Sequence, residues 1–205
     1  MFTVEQKCKA VADVAFILDS SGSLRAEYFK EKDFLKELMA SFGISKDGSR
    51  GAVVTFSFYA EHSIKFRDYE DMKSFSEAVD NIPLMGSTTR IDKALRLTQK
   101  EVFTLNSGAR PGVPKVLILL TDGSQTLDED AEEPSEISTE LRNAGIPIIV
   151  IGIGSGVNRT ELTNIAGSKE NVYAAQDFDI LKQGGFIQNI TSLTCATGNE
   201  FIVSM

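Results

Sequence analysis

The residues best suited to chemistry come directly after the first apolar run of the chain. Residues 14–18 are uninterrupted apolar side chains, too few for a helix and typical of a strand buried on both faces. Asp19, Ser21 and Ser23 follow at alternate positions. In an extended turn, this alternation can place their side-chain oxygens on one side. One carboxylate and two hydroxyls are hard ligands, which suit Mg²⁺, Mn²⁺ or Ca²⁺ better than zinc.

A simpler interpretation of this motif is a strand-to-helix turn in which Asp19 or a serine caps the following helix. Open α/β sheets, however, bind their ligands just beyond the carboxyl ends of the strands. Other strand ends and loops of this chain carry matching side chains: Ser87, Thr88 and Thr89 precede a helical pattern, and Asp122 follows an apolar run. The combination favours a cation site over a simple helix cap.

Alternating strands and helices must position these side chains. Apolar runs predict six strands, at residues 14–18, 51–58, 63–66, 115–120, 146–153 and 172–174. Helical spacing predicts helices at residues 24–42 (ending at Gly43, with Lys and Glu on the outer face), 68–80, 90–103, 135–143, 158–165 and 178–193. The connection between the second and third strands is too short for a crossover helix, so the third strand is predicted to be an antiparallel edge. The pattern predicts a doubly wound, Rossmann-like α/β fold, with a mainly parallel six-stranded sheet and helices on both faces.

Composition limits the possible functions. The 205 residues fit one domain, and 42% hydrophobic and 24% charged residues are ordinary for a globular protein. The formal net charge of −8 argues against nucleic acid as a partner, since phosphate binding depends on Lys and Arg. No apolar stretch approaches the length of a transmembrane helix.

The ends of the chain bear on its compartment. Residues 1–7 contain no apolar signal core, so the chain is either cytosolic or a piece of a longer secreted chain. Cys8 and Cys195 bracket nearly the whole domain. A disulfide between them would be worth about 5 kcal/mol in the chain-entropy model, and two unrelated free thiols are the alternative. Glycosylation sequons at Asn158 and Asn189 agree weakly with secretion.

The motifs together resemble those of von Willebrand factor type A (vWA) domains, a family that includes integrin inserted domains, matrilins and collagen VI modules. Three segments carry the resemblance: residues 19–23 (DSSGS), 87–95 (STTRIDKAL) and 120–123 (LTDG). It covers roughly residues 12–193. Residues 1–11 and 194–205 would then be flanks, each carrying one cysteine.

The resemblance implies a metal-ion-dependent adhesion site. Ser21 and Ser23 would bind the metal directly through their hydroxyls, and Asp19 and Asp122 would bind it directly or through water. The family's threonine falls on Thr89, counting back from the Ala-Leu pair at residues 94–95; Thr88 is the alternative.

Two carboxylates leave a divalent ion near neutral, so an open coordination position would accept an acidic side chain from a partner. The resemblance therefore implies a secreted, disulfide-containing adhesion module that uses Mg²⁺ (or Mn²⁺ or Ca²⁺) and binds collagen or another matrix protein. The surrounding loops would set specificity, and the candidate partner contacts are Leu24, Glu27, Tyr59, His62, Met85 and Ser87.

The sequence departs from the family pattern in two places. Asp92 stands where the family often has glycine, and it either pairs with Arg90 or Lys93 or alters the loop. Gly184 and Gly185 should cost the last helix about 1–2 kcal/mol relative to alanine, and we hypothesise that this helix is soft.

The six acidic residues within 128–136 predict a solvated loop and helix start, with a second cation site as the alternative.

Two rival functions use the same residues. A Mg²⁺-dependent phosphoryl-transfer enzyme also places Asp after its first strand, but it usually needs a second carboxylate or a catalytic Lys, and Ser21 stands in that carboxylate's place. A structural module that assembles without metal is the other rival, and the complete ligand set argues against it. His62 is the sole histidine, so a Ser-His-Asp triad would depend on it. The sequence therefore predicts a binding module and not an enzyme.

Overall fold

The computed structural model describes residues 11–177. The predicted helix at 178–193, both cysteines and Asn189 lie outside the described residues. Within them, six strands form one sheet in the order β3-β2-β1-β4-β5-β6. The strands are β1 Asp13–Asp19, β2 Arg50–Phe56, β3 Ala60–Ile64, β4 Lys115–Thr121, β5 Ile148–Ile153 and β6 Val172–Ala175.

The first strand lies at the centre of the sheet. β1 pairs in parallel with both β2 and β4, and the β4–β5 and β5–β6 pairs are also parallel. Only β3 runs antiparallel, at the edge beside β2, as the short connection predicts. β3 begins at Ala60, three residues earlier than the sequence indicates, because the turn is tight: the Ser57 amide donates to the Tyr59 carbonyl at 2.9 Å.

Five α-helices connect the strands of the described region. α1 ends at Gly43 as predicted, in the left-handed conformation with φ 72° that glycine adopts without strain. The helices are α1 Tyr28–Phe42, α2 Met72–Asp80, α3 Ile91–Leu97, α4 Pro134–Asn143 and α5 Arg159–Ala166. α3 is shorter than predicted, because residues 98–102 form a π-helical turn. In the region from 11 to 177, none of the helices combines the length and apolarity that crossing a bilayer requires.

Both faces of the sheet are covered, as predicted. All seven residues of β1 are buried. Its even-numbered apolar side chains, such as Phe16, pack in one core with α1 and α2. Its odd-numbered ones, such as Ile17, pack in a second core with α3, α4 and α5. A strand enclosed in this way holds its last residue, Asp19, in a fixed position below the loops that follow.

The prediction that the Lys and Glu side chains of α1 face solvent is wrong for Glu31. The periodicity assigns Lys and Glu side chains to solvent, but Glu31 is only 1% exposed. It lies on the buried face of the helix together with Tyr28, Phe34 and Leu35. A short 3-10 helix, Gly22–Ala26, precedes α1, and the α-helix starts four residues later than the sequence indicates.

Candidate metal centre

Two loops are joined by main-chain hydrogen bonds above the carboxyl end of β1. The loop that follows Asp19 and the loop before α3 exchange two bonds: the Gly22 amide donates to Ser87 O at 2.9 Å, and the Gly86 amide donates to Ser20 O at 2.8 Å. The Ser20 hydroxyl also accepts from the Met85 amide at 2.7 Å. The first two of the three predicted site segments are therefore held against each other by their backbones.

Thr89 connects these loops to the turn after β4. Its amide donates to Thr126 Oγ1 at 3.1 Å, and its carbonyl accepts from the Thr126 amide at 2.8 Å. A Cβ placed on Gly123 would lie 3.5 Å from the Thr89 hydroxyl, so that hydroxyl faces the turn next to Asp122. Thr89 is half-buried, whereas Thr88 is exposed. This geometry favours Thr89 over Thr88 as the candidate ligand.

Asp19 forms the floor of the site. Its Oδ1 accepts from the Ser21 amide at 2.9 Å, and its Oδ2 accepts from the Thr121 hydroxyl at 2.6 Å. Burial raises the pKa of Asp19 to about 6, because the two hydrogen bonds only partly offset desolvation and the charge of Asp122 adds to it. A buried carboxylate of this kind is stabilised by a nearby positive charge.

A chain of side-chain hydrogen bonds crosses the site from the first loop to the third. The hydroxyls of Ser21 and Ser23 lie 3.0 Å apart, and Ser23 donates to Asp122 Oδ1 at 2.9 Å. Asp122 is half-buried, and burial raises its pKa although the Ser23 bond acts in the opposite direction. The structure thus joins side chains of the first and third predicted segments, and the Thr89 hydroxyl of the second segment lies beside Gly123 in the third.

The donor set fits a hard divalent cation. It contains two carboxylates whose pKa values are raised, and hydroxyls that are neutral oxygen donors. Residues 11–177 contain no group of three or more His, Cys, Asp or Glu side chains arranged to hold a metal ion. Any cation at this point would therefore depend on the serine and threonine hydroxyls.

Asp92, the residue that stands where the family often has glycine, pairs with Arg90 and not with Lys93. Arg90 donates to both carboxylate oxygens of Asp92, at 2.9 and 2.7 Å. It also donates to Asp130 at 2.6 Å and to Asp128 at 3.1 Å. Lys93 instead pairs with Asp130 at 3.3 Å. The guanidinium thus fastens the start of α3, next to Thr89, to the loop that follows β4.

The acidic segment, residues 128–136, has a structural role, because its carboxylates pair with arginine side chains of the α3 region. Asp128 and Asp130 are anchors for Arg90, and Glu132 pairs with Arg96. α4 begins at Pro134, in agreement with the predicted helix start. Because these three carboxylates are paired with arginine side chains, the geometry favours a structural role over a second cation site.

Two of the predicted partner contacts, Leu24 and His62, lie in surroundings different from those of the other four. Leu24 is 3% exposed and belongs to the core beneath the site, because it lies on the inner side of the short 3-10 helix. His62 is half-buried in the middle of β3, with its Nε2 3.4 Å from the Ser107 hydroxyl. It lines a separate polar pocket with Lys65 and Arg67.

The other predicted contacts have accessible surface. Tyr59 is 58% exposed at the tip of the β2–β3 turn, and Ser87 is exposed. Met85 and Glu27 are half-buried, and Glu27 pairs with Lys30 at 3.4 Å. Sequence reasoning did not single out Phe58, which is 49% exposed beside Tyr59 and has the Lys93 ammonium 4.4 Å from its ring centroid.

Sequence reasoning gave Thr121 no role of its own and did not predict the burial of Glu31. Thr121 immediately precedes Asp122, at the end of the most apolar strand, and its position next to a candidate ligand is the available signal. Glu31 stands at helical spacing between Tyr28 and Leu35, so an acidic residue interrupts an apolar stripe. That interruption is a detectable signal for a buried carboxylate.

Comparison with known proteins identifies a family and relatives among collagen VI and matrilin chains. The profile of the von Willebrand factor type A domain family matches residues 13–186. The chain is 35% identical to the collagen alpha-6(VI) chain of Homo sapiens over 181 residues, which is 87% of this chain and 8% of that one. It is 33% identical to matrilin-3 of Gallus gallus over 146 residues, covering 69% of this chain and 31% of the relative.

Solved structures show the same fold. A structure of proximal thread matrix protein 1 from the mussel byssus superimposes with a TM-score of 0.81 at 34% identity, covering 91% of this chain and 47% of that one. A second structure of that protein, described as having a zinc-occupied MIDAS motif, has a TM-score of 0.80 at 34% identity, covering 91% of this chain and 46% of the other. This chain spans less than half the length of each of these relatives. Given the family match, the sheet topology and the three motifs, the chain belongs to the von Willebrand factor type A domain family.

Proposed function

We propose that this chain is a metal-ion-dependent protein-binding module of an extracellular matrix protein, and that it binds without chemical turnover. In this proposal Ser21 and Ser23 bind the cation through their hydroxyls, Asp19 and Asp122 bind it directly or through water, and Thr89 completes the set. The observation that supports the proposal most directly is the Ser23–Asp122 hydrogen bond at 2.9 Å, which joins side chains 99 positions apart at the carboxyl edge of the sheet.

Charge balance explains how such a module would capture a partner. Two carboxylates neutralise a divalent ion, so an open coordination position favours one more anionic oxygen, supplied by a Glu or Asp of the partner. The exposed side chains of Phe58, Tyr59 and Ser87 would then contact the partner around that acidic residue. An aromatic pair beside a charged anchor is a common arrangement in protein interfaces.

The nature of the donors favours Mg²⁺ as the resident ion, with Mn²⁺ and Ca²⁺ as alternatives. All five proposed ligand side chains offer oxygen, which Mg²⁺ and Mn²⁺ prefer, whereas zinc is more often bound by nitrogen and sulfur. The zinc in the mussel protein supports the use of a divalent ion at this motif but does not fix its identity here. Calorimetric titration with each of the four ions would rank them.

We also propose that the domain spans residues 12–193 of a secreted chain, with a disulfide between Cys8 and Cys195 in its flanks. The relatives in collagen VI and matrilin-3 support an extracellular location. Asn158 and Asn189 are the candidate glycosylation sites. Peptide mapping under non-reducing conditions would detect the crosslinked peptide, and two unmodified thiols would contradict the pairing.

The test of the proposed function is capture of matrix proteins with and without a chelator. We expect the wild-type protein to retain collagen or another matrix protein in Mg²⁺ and to release it in EDTA. Asp19→Ala and Asp122→Ala should abolish capture while the far-UV circular dichroism spectrum is preserved. Asp47→Ala is the control, because Asp47 is exposed in the turn before β2, at the opposite edge of the sheet. Full retention in excess EDTA would overturn the metal mechanism.

A further inference from the structure

A polar cavity of about 490 Å³ lies beside the edge strand β3 and shares no residue with the candidate metal centre. Its walls come from three parts of the chain: β3 with the residues after it, the π-helical turn at residues 98–102, and residues 104–107 before β4. Sites for small molecules commonly have volumes in this range, and π-helical turns occur often at functional sites. The cavity is therefore large enough for a small ligand.

Three of the side chains that line this cavity are cationic. Lys65, Arg67 and Lys100 form no ion pair within residues 11–177. By contrast, both cationic side chains of α3 have carboxylate partners. Acidic residues outnumber Lys and Arg in this chain by 29 to 21, so three cations left without such partners around one cavity favour an anionic ligand.

The neighbouring acidic groups limit the charge of that ligand. Glu101 lines the same cavity, and Asp68 accepts a hydrogen bond from the Lys65 amide at 2.8 Å. Three positive and two negative side chains leave a local excess of about one positive charge, which a singly charged anion balances. A sulfate ester carries one negative charge, whereas a phosphate ester carries about 1.5 to 2 at pH 7. The charge balance therefore favours a sulfate ester.

Neutral hydrogen-bonding side chains also line the cavity. Thr104, Asn106 and Ser107 contribute two hydroxyls and an amide. Ser107 is 2% exposed, and its hydroxyl lies 3.4 Å from Nε2 of His62. Asn106 is exposed, so its amide is accessible to a ligand. Hydroxyl and amide groups can bond the hydroxyls of a sugar, whereas a free inorganic anion would occupy only a small part of the cavity.

We propose that this cavity binds a short saccharide that carries a sulfate ester. The sulfate group would lie among Lys65, Arg67 and Lys100. The sugar hydroxyls would bond to Asn106 and Ser107. This site is independent of the proposed metal centre, and it gives the domain a carbohydrate ligand in addition to a protein partner.

His62 provides a direct readout of binding. It is the sole histidine of the chain, so one imidazole contributes to the NMR spectrum. Burial lowers the pKa of His62, and the charge of Lys65 lowers it further, while Glu101 and Asp68 act in the opposite direction. The charged groups around the ring are Lys65, Arg67, Asp68, Lys100 and Glu101. A bound sulfate group would add negative charge beside the ring and should therefore raise the pKa of His62.

Titration of metal-free protein, followed through the His62 signals, tests the proposal. The probes are a sulfated disaccharide, the same disaccharide without sulfate, a hexose monophosphate and inorganic sulfate. We expect the sulfated disaccharide to shift the His62 signals, to raise the pKa of His62 and to bind more tightly than the other three. Added salt should weaken this binding, because the cations are partly exposed. No shift with the sulfated disaccharide, or equal binding of its unsulfated form, would overturn the proposal.

Three variants assign the contacts. Lys100→Gln, at an exposed position, should weaken binding of the sulfated disaccharide about three- to tenfold. Lys169→Gln is the matched control, because Lys169 is 84% exposed just before β6, at the other edge of the sheet, and it should bind within about twofold of wild type. Asn106→Ala should weaken the sulfated disaccharide but leave the affinity for inorganic sulfate unchanged.

Other outcomes would overturn particular parts of the proposal. Equal losses in Lys100→Gln and Lys169→Gln would mean that the anion is attracted by the surface in general and not by this cavity. Inorganic sulfate that binds as tightly as the sulfated disaccharide would overturn the sugar contacts. Tighter binding of the hexose monophosphate would overturn the choice of sulfate. Because metal-free protein is used, none of these results depends on the proposed metal-dependent function.

Discussion

Arg90 and Asp92 form a two-point ion pair, in which Nε donates to Oδ1 at 2.9 Å and Nη2 donates to Oδ2 at 2.7 Å. The two side chains are 0% and 2% exposed. Burial alone would raise the pKa of Asp92, but hydrogen bonds from Arg90 and Gln125 outweigh it and hold that pKa below its usual range. The pair lies next to Thr89, so its geometry bears directly on the candidate site.

Replacing Arg90 should destabilise the fold, because its buried guanidinium is bonded to three acidic side chains. Arg90→Lys keeps one positive charge but cannot reach Asp92 at two points and Asp130 at the same time. We expect the free energy of unfolding to fall by about 2–4 kcal/mol, because buried carboxylate is left partly unpaired. Urea denaturation in EDTA measures this loss.

A surface ion pair provides the comparison for this variant. Lys73 pairs with Glu77 at 4.0 Å, and their side chains are 86% and 66% exposed. Lys73→Gln should therefore change the free energy of unfolding by less than about 0.5 kcal/mol. Equal, small effects of the two substitutions would show that the Arg90 cluster does not stabilise the domain.

The hydroxyl of Thr121 should be required to stabilise Asp19. Thr121→Val keeps the shape of the side chain but leaves Asp19 Oδ2 without its 2.6 Å hydrogen bond. We expect a loss of about 1–3 kcal/mol in the free energy of unfolding at pH 7.5, the usual cost of an orphaned buried acceptor. Thr121→Ser retains the hydroxyl and should recover most of the loss. A Thr121→Ser variant as unstable as Thr121→Val would point to packing of the methyl group instead.

Asp19 should make the metal-free protein less stable as the pH rises. The folded-state pKa is about 6, above the ordinary value of 3.8, so between these values the folded protein binds more protons than the unfolded chain. The free energy of unfolding therefore falls through this window, by about 3 kcal/mol from Asp19 alone. In EDTA, the stability of Asp19→Asn relative to wild type should increase by about this amount between pH 3.5 and pH 7.5. A flat Asp19→Asn difference would contradict the burial of this charge.

Cation binding should depend on pH for the same reason. Below pH 6 a divalent ion must displace the proton of Asp19, so the apparent Mg²⁺ affinity should fall up to tenfold per pH unit. Above about pH 7 the affinity should level off. Calorimetric titrations at pH 5, 6, 7 and 8 measure the profile. A constant affinity across this range would mean that Asp19 takes no part in binding.

The position of the candidate site could be proposed from the sequence because its residues lie at the ends of strongly apolar runs. Asp19 and Asp122 follow the first and fourth strands, and parallel strands place their carboxyl ends at one edge of a sheet. The register confirms this alignment, since Leu18 pairs with Leu120. Local sequence was also enough to identify the antiparallel edge strand, because the short connection excludes a crossover helix.

What could not be predicted depends on contacts between distant segments or on helix phase. Arg90 donates hydrogen bonds to Asp128 and Asp130, which lie far along the chain. Nothing in the sequence around Arg90 or around the two aspartates specifies this pairing. Leu24 directly follows the first motif, so its place in the sequence indicated a position around the site. The short 3-10 helix instead places it in the core. Glu31 lies on the buried face because it shares the helical spacing of Tyr28 and Leu35, although its charge favoured an outer position.

The backbone bonds between the first two site loops have a mechanical consequence. The Gly22–Ser87 and Gly86–Ser20 hydrogen bonds join the main chains of the two loops. A force applied at the site therefore reaches β1 through the backbone as well as through side chains. A pull on either loop would therefore be shared by the other. The two loops would then be displaced together, and release under load would require both bonds to part at once.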